Sequence, residues 1–176
     1  MSDQVRLVNQ QLAFSQSHLQ AARLAEGFMQ RCQLQACKLQ MYLLIHAYLA
    51  EIAERIALKW QLNLGVLNQA LTEFEQQLNQ QTKISSDFNH LNQLIHNHPP
   101  WCHWVDLSTS ALFTGKNELS SPILNDPGTI IASTHSPAAP ANPLNGNTGA
   151  QLELLNELLT ALESLIRIQR QNKIEF

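Results

Sequence analysis

The sequence predicts an all-α protein: an up-and-down bundle of four main helices with short extra helices and one long Pro/Gly-rich loop. Apolar residues recur at three- and four-residue spacing through most of the 176 positions, the pattern of helices with one buried face. Five of the seven prolines and four of the six glycines fall within 114–149, so the periodic stretches are nearly free of helix breakers. Charged residues make up only 14%, against about 25% in ordinary domains. Nineteen glutamines take their place, and glutamine is a good helix former with a neutral head.

Residues 4–29 read as the first helix. Leu7, Val8, Leu12, Phe14, Leu19, Ala21, Ala22, Ala25 and Met29 share one arc, and Asn9, Gln16, Ser17, Gln20 and Arg23 lie opposite. Ser2 or Asp3 is the natural N-cap, and Gly27 marks a weak point near the end. The second helix, about 31–60, is apolar on nearly all sides from Met41 to Ala50 and should be the most buried. Glu51 and Arg55 stand four apart, in the favourable order for an exposed pair.

A third helix follows Asn63, with Leu64, Leu67, Leu71, Phe74 and Leu78 as its seam. A short fourth begins at the cap-like Ser85, Ser86 and Asp87 and carries Phe88, Leu91, Leu94 and Ile95. "HNHPPWCHW" (96–104) then reads as a joint. Pro99 and Pro100 stop one helix, and Trp101 and Trp104 anchor the next. The last helix, about 150–172, closes a single helical domain spanning 1–176, with 114–149 as a long loop before it. Arg167, Arg170 and Lys173 sit where cations complement a helix C-terminus.

Net charge is −3 and the eleven basic residues are scattered, which argues against a nucleic-acid partner, since such binding needs a clustered basic footprint. The N-terminus shows no charged-then-apolar leader, and the longest apolar run, "MYLLIHAYLA", is broken by His46. It falls short of the ~20 residues a membrane span needs. Three cysteines give an odd count, with Cys32 and Cys37 five apart, roughly 140° around a helix. A reduced, cytoplasmic protein without membrane or disulfide framework is expected.

Few residues point to chemistry. His96, His98 and His103 lie close in sequence as metal-ligand candidates, with Cys102 between, but the prolines interrupt any repeated ligand spacing. No glutamate has a histidine three residues on, which excludes the carboxylate-bridged dimetal bundle. G-x-S-x-G, P-loop and G-x-G-x-x-G patterns are missing, so no cofactor is called for and no catalytic residue is assigned. Gln11, Ser15 and His18 interrupt the apolar arc of the first helix, and Tyr42 and His46 that of the second. In an antiparallel hairpin these five would meet, as a register-fixing network or as the lining of a small-ligand pocket.

"NQQLAFSQSHLQAARLAE" followed by "LQMYLLIHAYLAEIAERIAL" resembles the opening of an uncharacterised family of small helical gammaproteobacterial proteins. Asn9, Gln10, Leu12, Phe14, Glu51, Ile52 and Ala53 are the matching positions. The resemblance implies an all-helical fold and no activity.

The functional expectation is therefore a non-enzymatic interaction or structural protein acting through an apolar helix surface. The alternative is a small-ligand-binding or metal-dependent enzyme using the histidines. On the last helix, Leu152, Leu155, Leu159, Leu162 and Ile166 form one row and Leu154, Leu158, Ala161, Leu165 and Ile168 a second. Together they are wider than one core requires. Leu154, Leu158 and Leu165 are thus expected at the interface of a homodimer, with room for a further protein partner.

Overall fold

A computed structural model describes residues 2–60, 66–97 and 148–171. All regular structure in them is helical: α1 (Asp3–Leu24), α2 (Gly27–Arg55), α3 (Leu67–Gln80), α4 (Ser86–Asn97) and α5 (Thr148–Gln171). None is long and apolar enough to cross a membrane. The expected proline joint, with Trp101 and Trp104, and the connection up to residue 147 lie outside the described residues. So does Leu64 of the α3 seam.

Ser2 caps α1, its hydroxyl accepting from the Val5 N–H at 3.3 Å. The helix stops at Leu24, earlier than its apolar arc suggests. Ala25 and Glu26 are extended, and Gly27 opens α2 at φ +57°, a conformation that glycine adopts without a Cβ clash. Met29, beyond the break, is exposed, and so is Phe14 within α1, although both fall in the apolar arc; Val8, Leu19 and Ala22 are buried.

The Ala25–Glu26 turn folds α1 back on α2. The Gln30 amide donates to the Ala22 carbonyl, His18 meets Gln33 at 2.8 Å, and the Cys37 thiol points to the Ser15 carbonyl at 3.5 Å. These pairs step in opposite directions along the two helices, so the hairpin is antiparallel. α2 is the central helix: Met41, Tyr42 and the run Leu44–Leu49 are buried on every side, as the apolar stretch requires.

α5 lies against α1 and α2. Its first leucine row is the buried one: Leu155, Leu159, Leu162 and Ile166 are in the core and Leu152 packs on it. In the second row Leu158 is also core, Leu154 and Leu165 are half-buried, and Ile168 is exposed. Leu158 therefore closes the protein's own core rather than offering an interface side chain.

A polar ladder sets the direction of α5. Arg23 donates to Asn156 (2.6 Å), Gln16 to Glu163 (2.9 Å), and Arg170 to Asn9 (2.7 Å). Each rung is two helical turns from the next on both helices, in opposite senses, so α1 and α5 run antiparallel.

α3 and α4 form a second hairpin on the end of α2. Its centre is aromatic: Phe74 stacks on Phe88 at 4.9 Å and meets Trp60 edge-on at 5.2 Å. Ser85 caps α4 by accepting from Phe88 N–H at 3.1 Å.

α2 and α3 end alike. Leu58 N–H returns to the Ala53 carbonyl and Lys83 N–H to the Leu78 carbonyl, closing Schellman turns. The left-handed residue of each is not glycine but Ala57 (φ +49°) and Thr82 (φ +52°). A β-branched residue is strained there. Thr82→Gly is expected to raise stability by about 1 kcal/mol, read as a higher urea midpoint at unchanged slope. An unchanged or lower midpoint would mean that the turn gains nothing from glycine.

Candidate functional site

The five polar residues of the α1–α2 hairpin do not gather at one point. The Ser15 hydroxyl donates back to the Gln11 carbonyl of its own helix at 2.9 Å. His18 pairs with Gln33 near the open edge of the hairpin. Tyr42 and His46 stand one turn apart with ring centroids 4.4 Å from each other. The line is a set of separate local contacts.

Two members nonetheless leave polar atoms unused. His46 is 1% exposed, and neither ring nitrogen has a hydrogen-bond partner. Burial pushes its pKa down to about 4, so the ring is neutral near pH 7. The Gln11 and Gln40 side-chain oxygens are likewise buried and unpaired. Burial also raises the Cys37 thiol to about 12 against the opposing charge of Lys38, so Cys37 is not a thiolate nucleophile. Lys38 is buried too; desolvation lowers its pKa, and its amine donates to Gln151 at 3.4 Å.

Of the candidate metal ligands, His96 is exposed and its Nδ1 lies 2.9 Å from the Asn92 carbonyl of the preceding turn. His98 and His103 lie outside the described residues. Among the described residues no three His, Cys, Asp or Glu side chains could share one metal ion.

The densest polar cluster joins four helices and was not legible as a cluster in the sequence. Glu51, expected at the surface with Arg55, is 1% exposed. Arg170 approaches it with both arms of its guanidinium, Nε to Oε1 at 3.1 Å and a terminal nitrogen to Oε2. Arg170 therefore serves a carboxylate on α2 rather than its own helix end. Arg55 is 3.8 Å from Glu51 and 3.0 Å from Asp87 of α4. Its N–H directions miss the acceptors, so these contacts neutralise charge rather than act as directed hydrogen bonds.

Arg55 also lies 5.7 Å from the centre of the Tyr48 ring. The buried Tyr48 hydroxyl donates to the Gln169 side-chain oxygen, and the Gln169 amide donates to the Asp87 carbonyl at 3.2 Å. Burial raises Tyr48 to about 12, with Arg55 opposing, so the phenol stays protonated. Two cations, two carboxylates and three neutral polar groups, Tyr48, Gln169 and Asn9, meet here through ion pairs and hydrogen bonds. Such an arrangement fixes the mutual placement of α1, α2, α4 and α5.

The outer surface carries the opposite kind of feature. Leu24, Phe28 and Met29 are 81%, 70% and 56% exposed around the α1–α2 turn. Glu26, between Leu24 and Phe28, and Arg31, just beyond Met29, are also exposed, and neither forms an ion pair within the described residues. The chain matches no family model, no curated protein and no solved structure.

Proposed function

We propose that the protein is a non-catalytic helical interaction module that pairs with a second copy of itself through the α1–α2 turn. In this reading the chain is a single up-and-down bundle of four main helices in a reducing, cytoplasmic setting. The supporting observation is the exposure of Leu24, Phe28 and Met29 around one turn. Three neighbouring large apolar side chains in water are costly unless something covers them.

The flanking charges favour a second copy as the cover. A twofold interface brings residue i of one protomer to residue j of its partner, and j to i. A patch carrying one acid and one base, neither ion-paired among the described residues, beside exposed apolar side chains can be self-complementary. Glu26 of each protomer then faces Arg31 of the other. Leu154 of α5, two residues from the Arg23–Asn156 contact, lies at the same end of the bundle.

Sedimentation tests this. The wild type is expected to run at twice the 19.8 kDa of one chain at micromolar concentration, and Phe28→Glu as a monomer. Glu26→Arg alone should weaken pairing, and adding Arg31→Glu should restore it, because the swap rebuilds the charge pairs. A concentration-independent single-chain mass for the wild type, or a charge swap no better than its single parent, would refute the pairing.

A further inference from the structure

Between the end of α2 and the polar face of α3 lies a cleft of about 630 Å³ lined by Lys59, Trp60, Glu73, Gln76 and Gln77. Its volume is in the range of small-ligand sites, ~300–1,000 Å³. We propose that this cleft binds a neutral saccharide, with the Trp60 indole as the platform for a sugar ring. This site is separate from the self-association surface and does not depend on it.

The platform is held from several sides. The Gln81 side-chain amide clamps the backbone of Lys59, accepting from its N–H and donating to its carbonyl, both at 3.3 Å. The Lys83 amine caps the same turn from outside, donating to the Ile56 and Ala57 carbonyls. The indole rests against Phe74, itself fixed by Phe88. A T-shaped contact covers at most one indole face, and Trp60 is only half-buried. The two left-handed residues, Ala57 and Thr82, belong to the turns joined by these contacts. Strain of this kind persists where surrounding contacts hold a particular surface in place.

The rim specifies the ligand class. Gln77 lines the cleft while its oxygen accepts from Gln81 at 3.3 Å, which leaves its amide N–H groups to donate. Glu73 accepts from Gln69 through Oε1 at 2.8 Å, leaving Oε2 as an acceptor. Gln76 supplies both kinds of group. Donors and acceptors around one aromatic face match the hydroxyls and C–H face of a pyranose. Among the described lining residues the one cation, Lys59, is offset by Glu73, so they carry no excess positive charge that would select a phosphate or nucleotide. Among the described lining residues Trp60 is the one aromatic, so they do not supply the paired faces that grip a base or a quaternary amine.

The test is ligand-observed NMR and calorimetry on the full chain with maltose, cellobiose and N,N′-diacetylchitobiose, and with ATP and choline as contrasts. At least one sugar is expected to bind with Kd on the order of 1 mM, weakened about tenfold or more in Trp60→Ala. Gln77→Ala, a surface change that leaves the aromatic stack intact, should weaken it several-fold and decides the matter if Trp60→Ala loses helicity. The proposal is overturned if no sugar binds, if neither variant alters binding, or if ATP or choline binds better than every sugar.

Discussion

Replacing Glu51 with leucine is expected to cost about 3 kcal/mol of folding stability, the largest effect of any single substitution outside the apolar core. The carboxylate is 1% exposed and stands between the guanidinium groups of Arg170 and Arg55. Removing it leaves two cations at the junction of α1, α2, α4 and α5, with Asp87 as the one carboxylate still paired with them among the described residues. Buried pairs broken from one side typically lose ~3–5 kcal/mol. The low end applies here, because the side chains of Arg55 and Arg170 keep 20% and 26% exposure and can draw on water.

The companion variant separates charge from packing. Glu51→Leu combined with Arg170→Met removes one charge of each sign and leaves the Arg55–Asp87 pair balanced. The double variant should be about 2 kcal/mol more stable than Glu51→Leu alone, and with Arg170→Met it completes a double-mutant cycle read by urea unfolding. Additive losses would show that Glu51 acts through its shape and not through its neighbours' charge.

This junction also shows where reading the sequence stops. Glu51 and Arg55, four apart, suggest a solvated helix pair, and the local rule says nothing of Arg170, 119 positions away. Most rungs joining α1 to α5 come from polar residues beside the apolar arcs, Asn9, Gln16 and Arg23 against Asn156 and Glu163, while Arg170, expected to serve its own helix end, makes the last. A wheel separates buried from polar faces but cannot show that two polar edges meet. What depends on periodicity was legible: the all-helical composition, the buried middle of α2 and the Leu67–Leu71–Phe74–Leu78 seam; residue type placed the caps at Ser2 or Asp3 and within 85–87, where Ser2 and Ser85 make them.

The candidate sites divide in the same way. Ser15 and His46 interrupt apolar arcs and are buried, as that position implies. Their partners are local or lacking, so burial did not bring convergence. The saccharide cleft had no sequence signal. A helix extended through residue 60 makes Trp60 a helix end. The Gln81 clamp, 22 residues on from Lys59, comes from a turn whose geometry is set by the Leu78 carbonyl and the left-handed Thr82.

Acid should destabilise the protein through His46 at pH values where its carboxylates remain ionised. The buried imidazole binds a proton only near pH 4, whereas in the unfolded chain it does so near 6.5. Between those values the unfolded state holds the extra proton, so stability falls as pH drops below about 6.5 and levels off near 4. The full difference amounts to about 3 kcal/mol, of which about 2 kcal/mol is lost by pH 5. His46→Phe removes both nitrogens and keeps a ring beside Tyr42. Because those nitrogens are buried without partners, the variant is expected to gain about 1 kcal/mol at neutral pH. Its advantage should then widen by about 2 kcal/mol at pH 5, where the wild type alone loses the histidine contribution. Urea midpoints of the two proteins from pH 7.5 to about 4.5 provide the measurement, and the difference between them cancels every other titrating group. Parallel curves would place the imidazole in a setting that accepts a proton as readily as water does, with a partner for at least one ring nitrogen.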